Sequence, residues 1–187
     1  MGTVNPQEDE RLNAQLRDPA TVRSAFNKVM ELYSEPLYWQ IRRMVPSHED
    51  ANDLLQNTFM KAWLSLENFR GEAKLSTWLH KIAINESLTF LEREKRRDTA
   101  SLDDEDAVGE AASIAADDEI DGERLAATLR KAVDSLPEKQ RLIFNMKYFD
   151  DMKYEEISEI LGTTVGALKA SYHIATKKIE QFFAKLI

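Results

Sequence analysis

Apolar positions recur at steps of three and four along most of the chain. Phe26, Val29, Met30, Tyr33, Leu37, Ile41 and Met44 make one such series, the spacing of a helix with one buried face. Pro36 falls inside the series and predicts a kink or a break; Pro46 and Ser47 mark a turn. Leu54, Leu55, Thr58, Phe59, Ala62, Trp63 and Leu66 make a second series. It is the inner face of a helix that starts near Glu49 and carries Asp50 and Asp53 in its first turn, where the helix dipole favours anions. A short loop, Asn68 to Ala73, leads to a third helix over roughly 75–96 that carries Leu75, Trp78, Leu79, Ile82 and Ala83. That helix ends in the basic run Arg93, Lys95, Arg96, Arg97.

The periodicity then stops. Residues 98–123 are rich in Asp, Ala, Ser and Gly and poor in large apolar side chains, the composition of a mobile linker. A stretch this long without structure is uncommon inside a compact domain, so a boundary is expected here. Helical spacing resumes after it. Leu125, Leu129, Ala132 and Val133 mark one helix, Leu136-Pro137 breaks it, and Ile143, Phe144, Met146 and Tyr148 continue a core. Asp150-Asp151 reads as a turn. Residues 1–21 read as a loose polar leader, and no strand pattern is present. The expected fold is all-α: two small helical domains, 22–97 and 124–187, joined by a flexible acidic linker, 98–123.

Charge changes this picture. A net charge of −8 argues against a nucleic-acid partner until its distribution is considered. Eleven acidic residues and no basic ones lie in 98–123; the remaining 25 basic and 22 acidic residues give +3. The acidity is concentrated in the linker, and the flanks taken together are mildly basic. The absence of cysteine excludes a disulfide framework and a thiolate metal site. The three histidines are scattered, so neither a metal nor a cofactor is expected. No stretch approaches the roughly 18 apolar residues that cross a bilayer, and the polar N-terminus is no signal peptide; a cytoplasmic protein without membrane insertion is expected.

The segment Tyr154 to Ile179 has the spacing of a helix-turn-helix. Ile157, Ile160 and Leu161 face inward on its first helix, and Gly162 suits the left-handed position just past a helix end. Thr164 suits the N-cap of the second helix. There Val165, Leu168, Tyr172, Ala175 and Ile179 fall on one face, and Ala167, Lys169, Ala170, Ser171, His173, Thr176 and Lys177 on the other. In such motifs the second helix enters the major groove. Lys169, Ser171 and His173 are then placed for bases or phosphates, and Lys177 and Lys178 for phosphates. A plain helical hairpin with a solvated face has the same spacing, so this motif alone decides little.

The rest of the chain decides more. His48 to Trp63 resembles region 2.2 of the sigma-70 family of RNA polymerase sigma factors. Phe69 to Asn85 resembles regions 2.3 and 2.4, and Leu136 to Arg141 together with the helix-turn-helix resembles region 4. The blocks run in the family's order with no region 3 between them, an arrangement similar to the extracytoplasmic-function group. The resemblance covers roughly residues 22–183, and three ordered blocks are a far more specific signal than one motif.

The resemblance implies partners and roles. Core RNA polymerase is engaged at its β′ clamp helices by Asp53, Leu54, Gln56, Asn57, Phe59 and Lys61, with Asn57 where a glutamate is usual. The melted strand of the minus-ten element is held by Arg70, Gly71, Glu72, Ala73 and Lys74, which pocket an extruded base, and by Trp78, Lys81 and Asn85. The last three share a helix face at steps of three and four, and supply the stacking surface, cation and base-edge donor that single-strand capture requires. Arg93, Arg96 and Arg97 follow on phosphates. Thr164, Ala167, Lys169, Ala170, Ser171, His173 and Lys177 face the minus-thirty-five element of promoter DNA, and the same domain rests on the β flap. Ser171 and Ile174 stand where the family places arginines, so the isolated C-terminal domain is expected to bind DNA feebly. An anti-sigma factor is a further implied partner. The expected function is thus promoter recognition, minus-ten melting and transcription initiation. The alternative is a sigma-like decoy that binds an anti-sigma factor without reading DNA. A stand-alone helix-turn-helix regulator would leave residues 48–97 without a role. No phosphate-binding glycine loop, nucleophile motif or paired catalytic acids are present, so an enzyme is not expected.

Overall fold

In a computed structural model the described residues are 6–69, 71, 74–101 and 122–185. All regular structure among them is helical. The first unit comprises α1 (Pro6–Leu16), α2 (Val22–Arg42), α3 (His48–Leu64), a 3-10 turn (Leu66–Asn68) and α4 (Leu75–Ser101). The second comprises α5 (Gly122–Asp134), α6 (Glu138–Phe144), a π-helical turn (Asn145–Phe149), α7 (Tyr154–Leu161) and α8 (Val165–Ala184). Helices α4 and α5 each run a little past the expected linker bounds; the expected mobile linker otherwise falls on 102–121, outside the described residues.

The α2 and α3 series pack as their spacing requires. Val29, Leu37, Ile41, Ala51, Ala62, Leu75 and Leu79 are fully buried in one core. Burying each of the larger side chains contributes about 1.5–3 kcal/mol. Ser47 caps α3, its hydroxyl accepting from the Asp50 backbone N–H at 3.0 Å. Several expectations are corrected here. Pro36 does not break α2, which passes through it; buried Tyr33 and Leu37 anchor the helix on either side and outweigh the lost hydrogen bond. The leader is not loose beyond residue 5. It forms α1, whose Leu12 and Leu16 join the core. Tyr33 donates to Asp9 Oδ1 at 2.6 Å in a buried contact, and burial holds that phenol far above its ordinary range, reinforced by the Asp9 bond.

In the second unit Ala132, Val133, Leu136, Phe144, Ala175 and Ile179 pack together, and Gly162 closes α7 with φ +61°. Ile143, Phe144 and Met146 are buried as expected, but Leu125 and Tyr148 are half exposed. The π-helical turn places one more residue in the turn than an α-helix would and shifts Tyr148 off the inner face.

The two units touch. Ile84 of α4, completely buried, belongs to the apolar cluster of Leu142, Ile143, Met146, Ile157, Ile160 and Leu168, with Met44 and Leu88 packed against it. Asp150 pairs with Arg43. It also accepts from Gln40 Nε2 at 3.0 Å. Gln40 Oε1 lies 2.8 Å from His80 Nδ1; an amide oxygen only accepts, so the imidazole donates. Lys74 and Glu156 form an ion pair at 2.9 Å.

Candidate nucleic-acid interface

Helix α4 carries three faces. Leu75, Leu79 and Ala83 are buried against the α1–α3 core. Ile84, Leu88 and Lys95 face the second unit, and His80 beside them meets Gln40 of α2. The remaining face presents Trp78, Lys81 and Asn85. Lys81 and Asn85 are exposed and Trp78 is half-buried, stacked on Phe69 with ring centroids 4.6 Å apart. Trp78 is therefore partly packed and partly exposed. Arg93, Arg96 and Arg97 are exposed further along α4; Arg97 donates to Glu94 at 2.9 Å.

In the loop before α4, Gly71 has φ +71°, a backbone state that L side chains avoid. A Cβ there would also lie 2.1 Å from an Arg17 guanidinium nitrogen. Lys74 is exposed but engaged with Glu156, which raises its pKa through that hydrogen bond. Arg70, Glu72 and Ala73 lie outside the described residues.

The set on α3 expected to face polymerase divides in two. Asp53, Gln56, Asn57 and Lys61 are exposed, and Lys61 pairs with Glu86 of α4. Leu54 and Phe59 are 5% and 8% exposed; they are core side chains that support the face, not part of its surface. Sequence reasoning also placed Trp63 inside. It is 40% exposed, and Met60 and Leu64 beside it are 54% and 72% exposed. The signal for that surface was in the sequence: Met60 and Leu64 lie four residues apart, off the inner series of α3.

On α8, Thr164 caps the helix, accepting from the Ala167 backbone N–H at 3.3 Å. Ala167, Lys169, Ala170, His173 and Lys177 are exposed and Ser171 is half-buried. The Lys169 ammonium lies 5.7 Å from the Tyr154 ring centroid. Ile174 is 46% exposed on the same side, and Lys178 donates to Gln140 at 3.0 Å. The result is an exposed, mildly cationic helix seated on α7 in helix-turn-helix fashion. Among the described residues no cluster of His, Asp and Glu could hold a metal ion, and no helix is long and apolar enough to cross a membrane.

Comparison with known proteins bears on both faces. Residues 29–97 match Sigma-70 region 2, and residues 126–179 match Sigma-70 region 4. The chain belongs to the extracytoplasmic-function group of the sigma-70 family. It is 30% identical over 160 residues to the ECF RNA polymerase sigma factor SigW of Bacillus subtilis, covering 81% of this chain and 84% of the relative. It is 30% identical over 172 residues to the ECF RNA polymerase sigma-E factor of Escherichia coli, covering 88% and 90%. Two solved structures share the fold. One is the sigma factor RpoE in complex with the anti-sigma factor NepR from Bartonella quintana, with a TM-score of 0.66, 23% identity, and coverage of 85% of this chain and 96% of that one. The other is CnrH in complex with the cytosolic domain of CnrY, with a TM-score of 0.68, 20% identity, and coverage of 95% and 98%. As a member of this group the chain is a promoter-directing sigma factor, a transcription regulator.

Proposed function

We propose that this sigma factor docks on the β′ clamp helices of core RNA polymerase through the exposed face of α3, with Asp53, Gln56, Asn57 and Lys61 as its polar contacts and Leu54 and Phe59 beneath them. The α4 face then takes the melted minus-ten strand. Trp78 offers an aromatic surface, Asn85 a base-edge donor and acceptor, and Lys81 a cation, with Arg93, Arg96 and Arg97 along the phosphates. Arg70, Gly71, Glu72, Ala73 and Lys74 border the pocket for an extruded base. Opening a duplex costs a few kcal/mol per base, and such a pocket offsets that cost without a nucleotide cofactor. Helix α8 enters the major groove of the minus-thirty-five element with Thr164, Ala167, Lys169, Ala170, Ser171, His173 and Lys177 toward the DNA, and its domain rests on the β flap. The observation that carries this reading is the α4 face itself, where Lys81 and Asn85 stay exposed beside Trp78 while the other two faces are packed.

An anti-sigma factor is a proposed partner, supported by the complexes in which the two fold neighbours were solved; a cytoplasmic location is proposed with it. Asp53→Ala combined with Gln56→Ala should weaken binding to core polymerase about tenfold while leaving the helical content unchanged. Undiminished binding to core would refute the α3 assignment.

A further inference from the structure

Helix α1 lies outside the stretch that matches Sigma-70 region 2, which begins at residue 29. The residue just past its end nonetheless reaches the loop before α4. Its base is firmly held. Tyr33 pins the first turn of α1 through buried Asp9 at 2.6 Å, and Leu12 and Leu16 sink into the core. The turn that follows is tied by its own polar groups. The Asp18 backbone carbonyl accepts from the Thr21 and Val22 N–H groups at 3.0 and 2.8 Å, and the Asp18 carboxylate accepts from the Ala20 N–H at 2.9 Å. The Thr21 hydroxyl donates to the Gln15 carbonyl at 2.8 Å. Arg17 thus extends from a rigid support.

The Arg17 guanidinium ends on Gly71. It fills the space that a Cβ at position 71 would take, with Nη2 2.1 Å and Cζ 3.2 Å from that point. Gly71 also has φ +71°, so glycine meets two demands there, the left-handed backbone and the close approach of another group. A guanidinium is planar and weakly hydrated, and packs against such a surface at lower cost than an ammonium. On either side of Gly71 the chain is anchored by its own core residues. Phe69 is buried and stacked on Trp78, and Leu75 is fully buried. Arg17 supplies a third point of support from a different element. A pocket formed before its ligand arrives avoids the ordering cost at the moment of capture.

We propose that Arg17 is a positioning residue for the minus-ten pocket: α1 carries its guanidinium onto Gly71 and holds the loop between Phe69 and Leu75 in the form that receives an extruded base. The consequence for DNA rests on the sigma-factor reading of residues 70–74 above; the seating of Gly71 does not. Arg17 acts through Gly71 and not on the strand.

The test uses the full chain with Arg17→Ala, Arg17→Lys, Gly71→Ala, and Arg17→Ala combined with Gly71→Ala. Without DNA, hydrogen exchange at the amides of residues 69–75 should be severalfold faster in Arg17→Ala, with exchange in α3 unchanged. Equal exchange at 69–75 overturns the proposal whatever polymerase does. With core polymerase, permanganate reactivity of the minus-ten thymines should fall severalfold in Arg17→Ala at unchanged affinity for core. Arg17→Lys keeps the charge without the planar group and should not restore opening. The combined variant should be no worse than Gly71→Ala alone, because both changes remove one contact; defects that multiply would show independent roles and overturn the proposal. The salt dependence of opening should match that of the unsubstituted chain. Recovery in Arg17→Lys, or a salt slope reduced by about 0.7, the share of one single-strand phosphate contact, would make Arg17 a direct DNA contact and overturn its positioning role. Asn85→Ala measured alongside separates the two readings. A defect there with none in Arg17→Ala defeats the positioning role alone; no defect in either defeats the minus-ten reading with it.

Discussion

At the scale of single residues, exposure separates support from contact. Leu54 and Phe59 lie in the block of the sequence expected to face polymerase, yet both are core side chains. Phe59→Ala should destabilise the chain by about 3–5 kcal/mol, read as a lowered denaturation midpoint; a change below about 1 kcal/mol would place Phe59 at the surface instead. His80 offers a second test. Burial pushes its imidazole down to about 4, with Glu156 pulling it up and Arg43 pushing it further down. A value below the ordinary 6.5 means that the fold prefers the neutral ring. The stability this contributes is complete above about pH 6.5 and is lost as pH falls from there toward 4. Asp150, also in this network, acts in the opposite sense. Burial holds its carboxyl above the ordinary range, only partly offset by Arg43 and Gln40, so its protonation in acid does not add to the loss. An NMR titration of His80 should give a midpoint near 4; a midpoint at 6.5 would show a solvated ring and no buried network.

At the scale of elements, Asn85 tests the α4 face. It is exposed, and its side chain has no part in the core. Asn85→Ala should leave thermal stability within a few degrees and lower promoter opening about tenfold, measured by permanganate reactivity of the minus-ten thymines. Equal reactivity would remove Asn85 from the strand-binding set. Thr164→Ala should cost about 1 kcal/mol through loss of the α8 cap, seen as earlier melting of the second unit. Much of this was readable from sequence. The three-and-four spacing of Phe26 to Ile41 and of Leu54 to Ala62 placed two core helices, and Gly162-Thr163-Thr164 placed the turn and cap of the helix-turn-helix. The rest was hidden for identifiable reasons. Helix α1 contributes only Leu12 and Leu16 to the core, too few to show a period among polar neighbours. Tyr148 departs from its expected face because a π-helical turn breaks the 3.6-residue rule on which face assignment depends. Ile84 and Leu88 fall outside the inner series of α4 because that helix serves two apolar partners at once, and a single inner face was all the spacing could suggest.

At the scale of the whole molecule, an acidic segment separates two helical units that together carry a small positive charge, so a chain of negative net charge still offers the two surfaces proposed to face DNA. The α8 face is thin in cations: Ser171 and Ile174 stand among Lys169, His173 and Lys177. Few cations mean few released counterions. Specific promoter affinity is therefore expected from two weak sites joined through polymerase, each raising the effective concentration of the other. The most direct test is run-off transcription from pooled genomic fragments with core polymerase of the source organism, with and without this protein. New transcripts from a few discrete start sites, lost with the Asp53→Ala and Gln56→Ala pair, are the predicted result. Stable binding to core with no new transcript would instead favour a sigma-like decoy, and failure to bind core would contradict the assignment of α3.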